Sequence, residues 1–190
     1  MLSLKESGAS TKFFIILFKL FLVETITDLS LKIIKNRMDP KVLRLNLGQN
    51  APELYKKVVE LDALAMKKII EANISEGFAH LLKLRASQIN QCAFCIRLHT
   101  HDALQANESI ERISLLNAWA DSLYFNEQER AALKLVESIT LISEGQVPNH
   151  IYEEATQYLT DLQIIAIEWL TIVINSWNRI AISSRYRVQP

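Results

Sequence analysis

The two cysteines of this 190-residue chain stand within four residues, Cys92-Ala93-Phe94-Cys95, and His99 follows one helical turn later. No other segment gathers reactive side chains so closely. The thiolate is the nucleophilic form of cysteine, and a neighbouring imidazole or a helix N-terminus lowers a thiol pKa from about 8.5 toward the physiological range. Two thiols three residues apart can also close into a disulfide, so one site can hold two redox states. Thiol redox chemistry is therefore the first expectation.

Spacing supplies a geometry. In a helix over about 91–106 each residue advances roughly 100° around the axis. Measured from Cys92, Cys95 then lies at about −60° and His99 at about −20°, on one face. His101 falls on the opposite face. Asp102 returns to within roughly 20° of Cys95, one turn beyond His99, where it can orient the imidazole. Asn90 is expected to cap this helix, which places both cysteines in a first turn whose free N–H groups favour a negative thiolate. Cys95 and His99, spaced i, i+4, can meet directly.

The elements that must carry this face are helical. Four glycines and four prolines are too few for the turns of an all-β chain. From Asn50 the apolar residues recur at helical spacing: Leu54 to Ile69 after Pro52, then Phe78 to Ile89 after a start at Ser75, then the cysteine helix. A fourth helix is expected from Glu108 to about Ser122. A fifth begins at Asn126-Glu127-Gln128-Glu129, a capping-box pattern, and stops at Gly145. Pro148 opens a short sixth. The longest runs from Thr160-Asp161 to about Ser183 and is apolar on more than one side, as expected of a helix buried centrally or between subunits. The fold class is all-α.

Charge and cysteine usage exclude several functions. Lys plus Arg and Asp plus Glu both number 21, and no basic run offers a phosphate-binding stripe, so no nucleic-acid partner is expected. Two cysteines this close cannot staple a secreted scaffold. Residues 1–39 differ in character, with six Lys and Arg to four Asp and Glu. Their apolar run from Phe13 to Val23 is short for a span of about 20 residues and Lys19 interrupts it. No small-residue cleavage site follows. The chain reads as a single domain, residues 40–190, with an N-terminal extension, residues 1–39, Met38 being a candidate start. A membrane-surface helix is the second reading of the extension; no membrane partner is expected.

The run Leu84-Arg85-Ala86-Ser87-Gln88-Ile89-Asn90-Gln91-Cys92-Ala93-Phe94-Cys95-Ile96-Arg97-Leu98-His99-Thr100 resembles the core of AhpD-like alkylhydroperoxidases, within the carboxymuconolactone decarboxylase superfamily. Glu129-Arg130-Ala131-Ala132-Leu133 with Glu137, and Ile174-Asn175-Ser176-Trp177-Asn178-Arg179, extend the similarity over roughly residues 39–185. The resemblance implies an AhpD-like helical bundle in the cytoplasm, assembled as homo-trimers or hexamers, that reduces hydroperoxides without cofactor or metal. It implies that Cys95 attacks the peroxide, that Cys92 resolves the sulfenic acid, that His99 belongs to a proton relay, and that an external dithiol reduces the disulfide. The family relay also uses a glutamate twelve residues before the first cysteine. That position is His80 here, a candidate second relay member. Where some members carry a histidine between the cysteines, this chain has Phe94. Members that are decarboxylases in the strict sense lack the cysteine pair as a rule, so decarboxylation is the less expected chemistry.

Two other functions compete. One is a zinc site built from Cys92, Cys95, His99 and a further histidine, although consecutive ligands on one helix strain a tetrahedron. The other is an oligomeric redox-sensing or stress-response protein without efficient turnover. Structural work is expected of Arg85, Ser87 and Gln88 in polar packing, of Trp119, Trp169 and Trp177 in core or subunit contacts, and of Glu137 as an ion-paired or solvated carboxylate. His101 and His150 are expected at the surface.

Overall fold

Helix starts follow local chemistry. Ser75, Ser109, Asn126 and Thr160 each accept a hydrogen bond from the backbone N–H three residues on. Asn126 with Glu129 and Thr160 with Gln163 complete reciprocal capping boxes, satisfying donors that a helix end otherwise strands. The computed structural model describes residues 44–189, so the expectations for residues 1–39 and Met38 lie outside the described residues. The elements are α1 Leu47–Asn50, α2 Pro52–Glu71, α3 Glu76–Ile89, α4 Ala93–Gln105 and α5 Ile110–Leu115. A 3₁₀ segment, Leu116–Asp121, leads to α6 Glu127–Thr140, α7 Ile142–Gly145, α8 Asn149–Tyr158 and α9 Asp161–Ser183. No strand occurs among the described residues, and no helix among them is long and apolar enough to cross a membrane.

The core forms where α9 lies against α2, α3 and α6, while α3 runs along α4 and so fixes the cysteine helix. Leu81, Leu82 and Leu84 of α3, Leu133, Leu135 and Val136 of α6, and Ile167, Leu170, Val173 and Ile174 of α9 are removed from water. Each such side chain contributes about 1.5–3 kcal/mol of transfer free energy, which makes these helices the fixed frame of the molecule. The outer side of α9 is different: Leu162, Ile165, Trp169 and Ile172 stay exposed, and Ile165 and Trp169 border a shallow groove with Leu61, Leu64 and Ala65 of α2. One helix is thus central on one side and open on the other.

Three boundaries depart from the sequence expectations. Asn50 ends α1 instead of capping α2, which starts at Pro52 after Ala51 without a side-chain cap. The fixed φ of proline at the first position does that work. The expected helix over residues 108–122 is α-helical only from Ile110 to Leu115, then tightens, with Ala118 at φ −122°. Arg130 collects the carbonyls of Trp119, Ala120 and Ser122 there, compensating groups that a regular helix would have bonded itself. The fifth helix breaks at Leu141, and its short continuation α7 ends in a left-handed residue that is Gln146, one place after the expected Gly145.

Candidate functional site

The cysteines sit in the turn between α3 and α4. α3 ends at Ile89, Asn90 is its C-cap, and Gln91 takes the left-handed conformation at φ 56° that reverses the chain. Asn90 therefore does not cap α4, as its type suggested. Cys92 holds that position itself, its Sγ accepting the N–H of Cys95 at 3.4 Å. The reason is tertiary. The Asn90 side-chain amide donates to Asn175 Oδ1 at 2.9 Å and to Asn178 Oδ1 at 2.8 Å, both on α9. The Asn178 amide donates in turn to Ser87 Oγ at 3.0 Å, and the Ser87 hydroxyl donates to the Lys83 carbonyl at 2.8 Å. A chain of paired polar groups thus pins the turn to the central helix.

Cys92 and Cys95 are joined in a disulfide, with Cα atoms 5.3 Å apart. Cys92 at the cap and Cys95 in the first turn retain the helix-end environment that favours a thiolate on reduction. The pair is covered: Cys92 is 2% and Cys95 3% exposed, with Ala181 and Tyr186 packed against them. Tyr186 follows the left-handed Arg185 at the end of α9, meets Phe94 edge-on at 5.3 Å, and donates its hydroxyl to Asn46 Oδ1 at 3.3 Å. Burial pushes the Tyr186 phenol above its ordinary pKa. Nothing in the α4 sequence pattern announces this cover, because it arrives from the far end of the chain.

One turn along α4 lies a second group. His99 is buried, its ring stacked on His80 of α3 with centroids 5.7 Å apart. Asp102 Oδ2 lies 3.3 Å from His99 Nδ1 and 3.8 Å from His80 Nδ1. Neither Nδ1 has a hydrogen-bond partner. Burial pushes His99 down to about 3, and the positive charges of Lys83 and His80 act in the same direction. His80 is lowered by burial too, with Asp102 partly opposing. Both imidazoles are neutral at neutral pH. His101 is largely exposed and reaches only the other oxygen of Asp102, at 4.0 Å.

The remaining candidates are structural. Glu137 accepts from Arg85 Nε at 2.6 Å and Trp119 Nε1 at 2.7 Å, and Arg85 Nη1 reaches Asn117 Oδ1 at 2.7 Å. Glu137 is the ion-paired carboxylate expected of it. Trp119 is in the core and Trp169 on the open face of α9, while His150 is exposed. Asn175 and Asn178, which hold the cysteine turn, carried a visible signal as two amides within the apolar part of the longest helix.

A family model, the carboxymuconolactone decarboxylase family, matches residues 52–138, the stretch that runs from α2 into α6 and carries both cysteines, His80, His99 and Asp102. The uncharacterized protein YdfG of Bacillus subtilis is 36% identical over 140 residues, covering 74% of this chain and 92% of that protein. The chain belongs to the carboxymuconolactone decarboxylase family. Within it, the structure is similar to a protein of unknown function from Agrobacterium tumefaciens described as a candidate antioxidant defence protein AhpD. Its crystal structure matches with a TM-score of 0.72 and 34% identity, over 78% of this chain and 99% of that one. The fold is AhpD-like, and Cys92 and Cys95 fall on the α3–α4 turn within the matched residues.

Proposed function

We propose that this family member is a peroxidase-type thiol oxidoreductase that reduces hydroperoxides through Cys92 and Cys95. The observation that carries the reading is a disulfide at the N-terminus of α4, one turn from a buried, neutral imidazole. In the reduced state Cys95 passes its proton through His99, which hands it on in the same step because burial disfavours a charged ring, and attacks the distal oxygen of the hydroperoxide. The O–O bond breaks, the alkoxide takes the proton from His99 and leaves as an alcohol, and Cys95 becomes a sulfenic acid. The Cys92 thiol then attacks the Cys95 sulfur, the hydroxyl departs as water, and the disulfide closes. An external dithiol reduces it by exchange and is itself oxidised to a disulfide. His80 and Asp102 extend the relay behind His99, a histidine and a carboxylate facing it from two helices. The exposed apolar residues of α9 and α2 support association into a homo-oligomer, and the candidate antioxidant role of the Agrobacterium relative accords with this chemistry.

The test is steady-state reduction of cumene hydroperoxide or hydrogen peroxide by a dithiol. One observation favours a second reading: the sulfurs lie under Tyr186, so turnover requires that cover to move. If oxidation occurs once per chain but cycling is slow, the protein is a redox sensor of the same fold, and mass spectrometry after one equivalent of peroxide separates the two.

A further inference from the structure

We propose that His80, His99 and Asp102 form a binding site for a divalent transition-metal ion of zinc type, separate from the cysteine pair. Two histidines and one carboxylate are a donor set that zinc accepts, with water completing the coordination. Donor atoms bonded at about 2.0–2.2 Å to a tetrahedral ion stand about 3.3–3.6 Å apart. The Asp102 Oδ2 to His99 Nδ1 and His80 Nδ1 separations, 3.3 and 3.8 Å, lie close to that range. One donor atom from each of the three residues lies within 4.8 Å of the others, so a side-chain movement of about 1 Å gathers them around an ion.

A second observation points to a ligand. His99 Nδ1 is buried and has no hydrogen-bond partner, and the same holds for His80 Nδ1. Buried polar atoms are nearly always paired, so two orphaned ring nitrogens facing one carboxylate oxygen mark a place where a further partner belongs, and a cation suits two imidazoles and a carboxylate. Neutral imidazole is the form that binds metal, and burial holds both rings in that form. Outside the trio, the Glu76 carboxylate stands 3.9 Å from His80 Nε2 and adds a further negative charge beside the site. The nearby Lys83 ammonium, which would repel a cation, is itself paired with Asp62 at 2.8 Å. This donor set differs from a site using Cys92 and Cys95, whose sulfurs are bonded to each other.

The disulfide form of the whole chain is the right test object, because its sulfurs cannot act as thiolate ligands. After removal of adventitious metal with a chelator, zinc is titrated calorimetrically and cobalt(II) is added for its visible absorption. One ion per chain is expected, with the ligand-field bands of a low-coordinate cobalt site. His80→Ala and Asp102→Asn should each weaken zinc binding at least tenfold, and Cys92→Ser/Cys95→Ser should leave it unchanged. No saturable zinc binding by the oxidised wild type overturns the proposal, and so does undiminished binding in His80→Ala with helix content preserved by circular dichroism. Should His99→Ala fail to fold, His80→Ala still decides, since His80 lies at the less buried edge of the trio. The three ligands are also the proposed proton relay, so zinc bound here blocks proton transfer at His99 and should slow peroxide turnover; the titration reads zinc alone, and its failure leaves the cysteine chemistry untouched.

Discussion

The two ends of the α4 site are built on opposite principles. At the turn, Asn90, Asn175, Asn178 and Ser87 pass hydrogen bonds to one another until each is paired. One turn on, His80 and His99 leave their Nδ1 atoms unpaired against Asp102. A buried network that is fully satisfied holds a shape. Buried groups left unsatisfied cost about 1–3 kcal/mol each, and they persist where a proton or ligand is to be handled. The turn is the mount, and the histidine pair is the working part.

The largest effects should come from the sulfurs held by that mount. Cys95→Ser is expected to abolish peroxide turnover, and Cys92→Ser to permit one oxidation with sulfenic acid trapped at Cys95, both read by mass spectrometry. The geometry also supplies the alternative outcome. Cys92 is the cap residue and its sulfur already accepts a backbone N–H, which favours a thiolate there. Sulfenic acid forming on Cys92 in the Cys95→Ser protein, at a rate matching wild type, would exchange the two roles.

Next in size is the mount. Asn178 is completely buried, and its loss deprives both Asn90 and Ser87 of a partner. Asn178→Ala should destabilise the fold by about 2–4 kcal/mol, the sum of a cavity and stranded polar groups. Urea unfolding measures it. A loss below about 0.5 kcal/mol would mean that the amide ladder does not hold the turn, and the contrast between the two ends would fail.

The histidine end should declare itself through pH. Both rings are held below their unfolded value near 6.5, His99 down to about 3. The unfolded chain therefore binds protons that the folded chain refuses. The stability from excluding them is fully present above pH 6.5 and is lost as pH falls, by up to about 1.4 kcal/mol per pH unit for each ring. For His99 the loss continues toward pH 3. Chemical denaturation at pH 7.5 and pH 5 should show it, and His80→Gln should lessen the slope. A slope unchanged by that substitution would place His80 outside the coupled pair.

How much of this was legible depends on the range of the forces. Ser75, Asn126 and Thr160 mark helix starts because a cap bonds a backbone group three residues away. His99 and Asp102 were readable as neighbours for the same reason, one helix turn being local. Asn90 was misplaced because asparagine suits either end of a helix, and what decides between them is a pair of amides on α9, 85 and 88 residues away. The meeting of His80 with His99 depends on how α3 lies along α4, which no periodicity within either helix encodes. The open face of α9 was half legible: its excess of apolar residues showed in the sequence, but not which of them would be left outside.

The smallest expected effect concerns the cover, and it bears on whether the mount is also a gate. Tyr186 packs on the disulfide, but its anchors are few: the edge contact with Phe94 and the hydroxyl bond to Asn46. Tyr186→Ala removes the ring and should leave the core helices intact, since its neighbours there are Ala181 and the cysteines alone among the fully buried residues. Reduction of the disulfide by dithiothreitol is expected to accelerate several-fold, because exchange demands approach of a thiolate along the S–S axis. Tyr186→Phe keeps the ring but drops the hydroxyl bond, worth about 0.5–1.5 kcal/mol, and should fall between. Equal rates in all three proteins would show that access to the sulfurs is set elsewhere, and the burial of the pair would then weigh toward slow sensing over turnover.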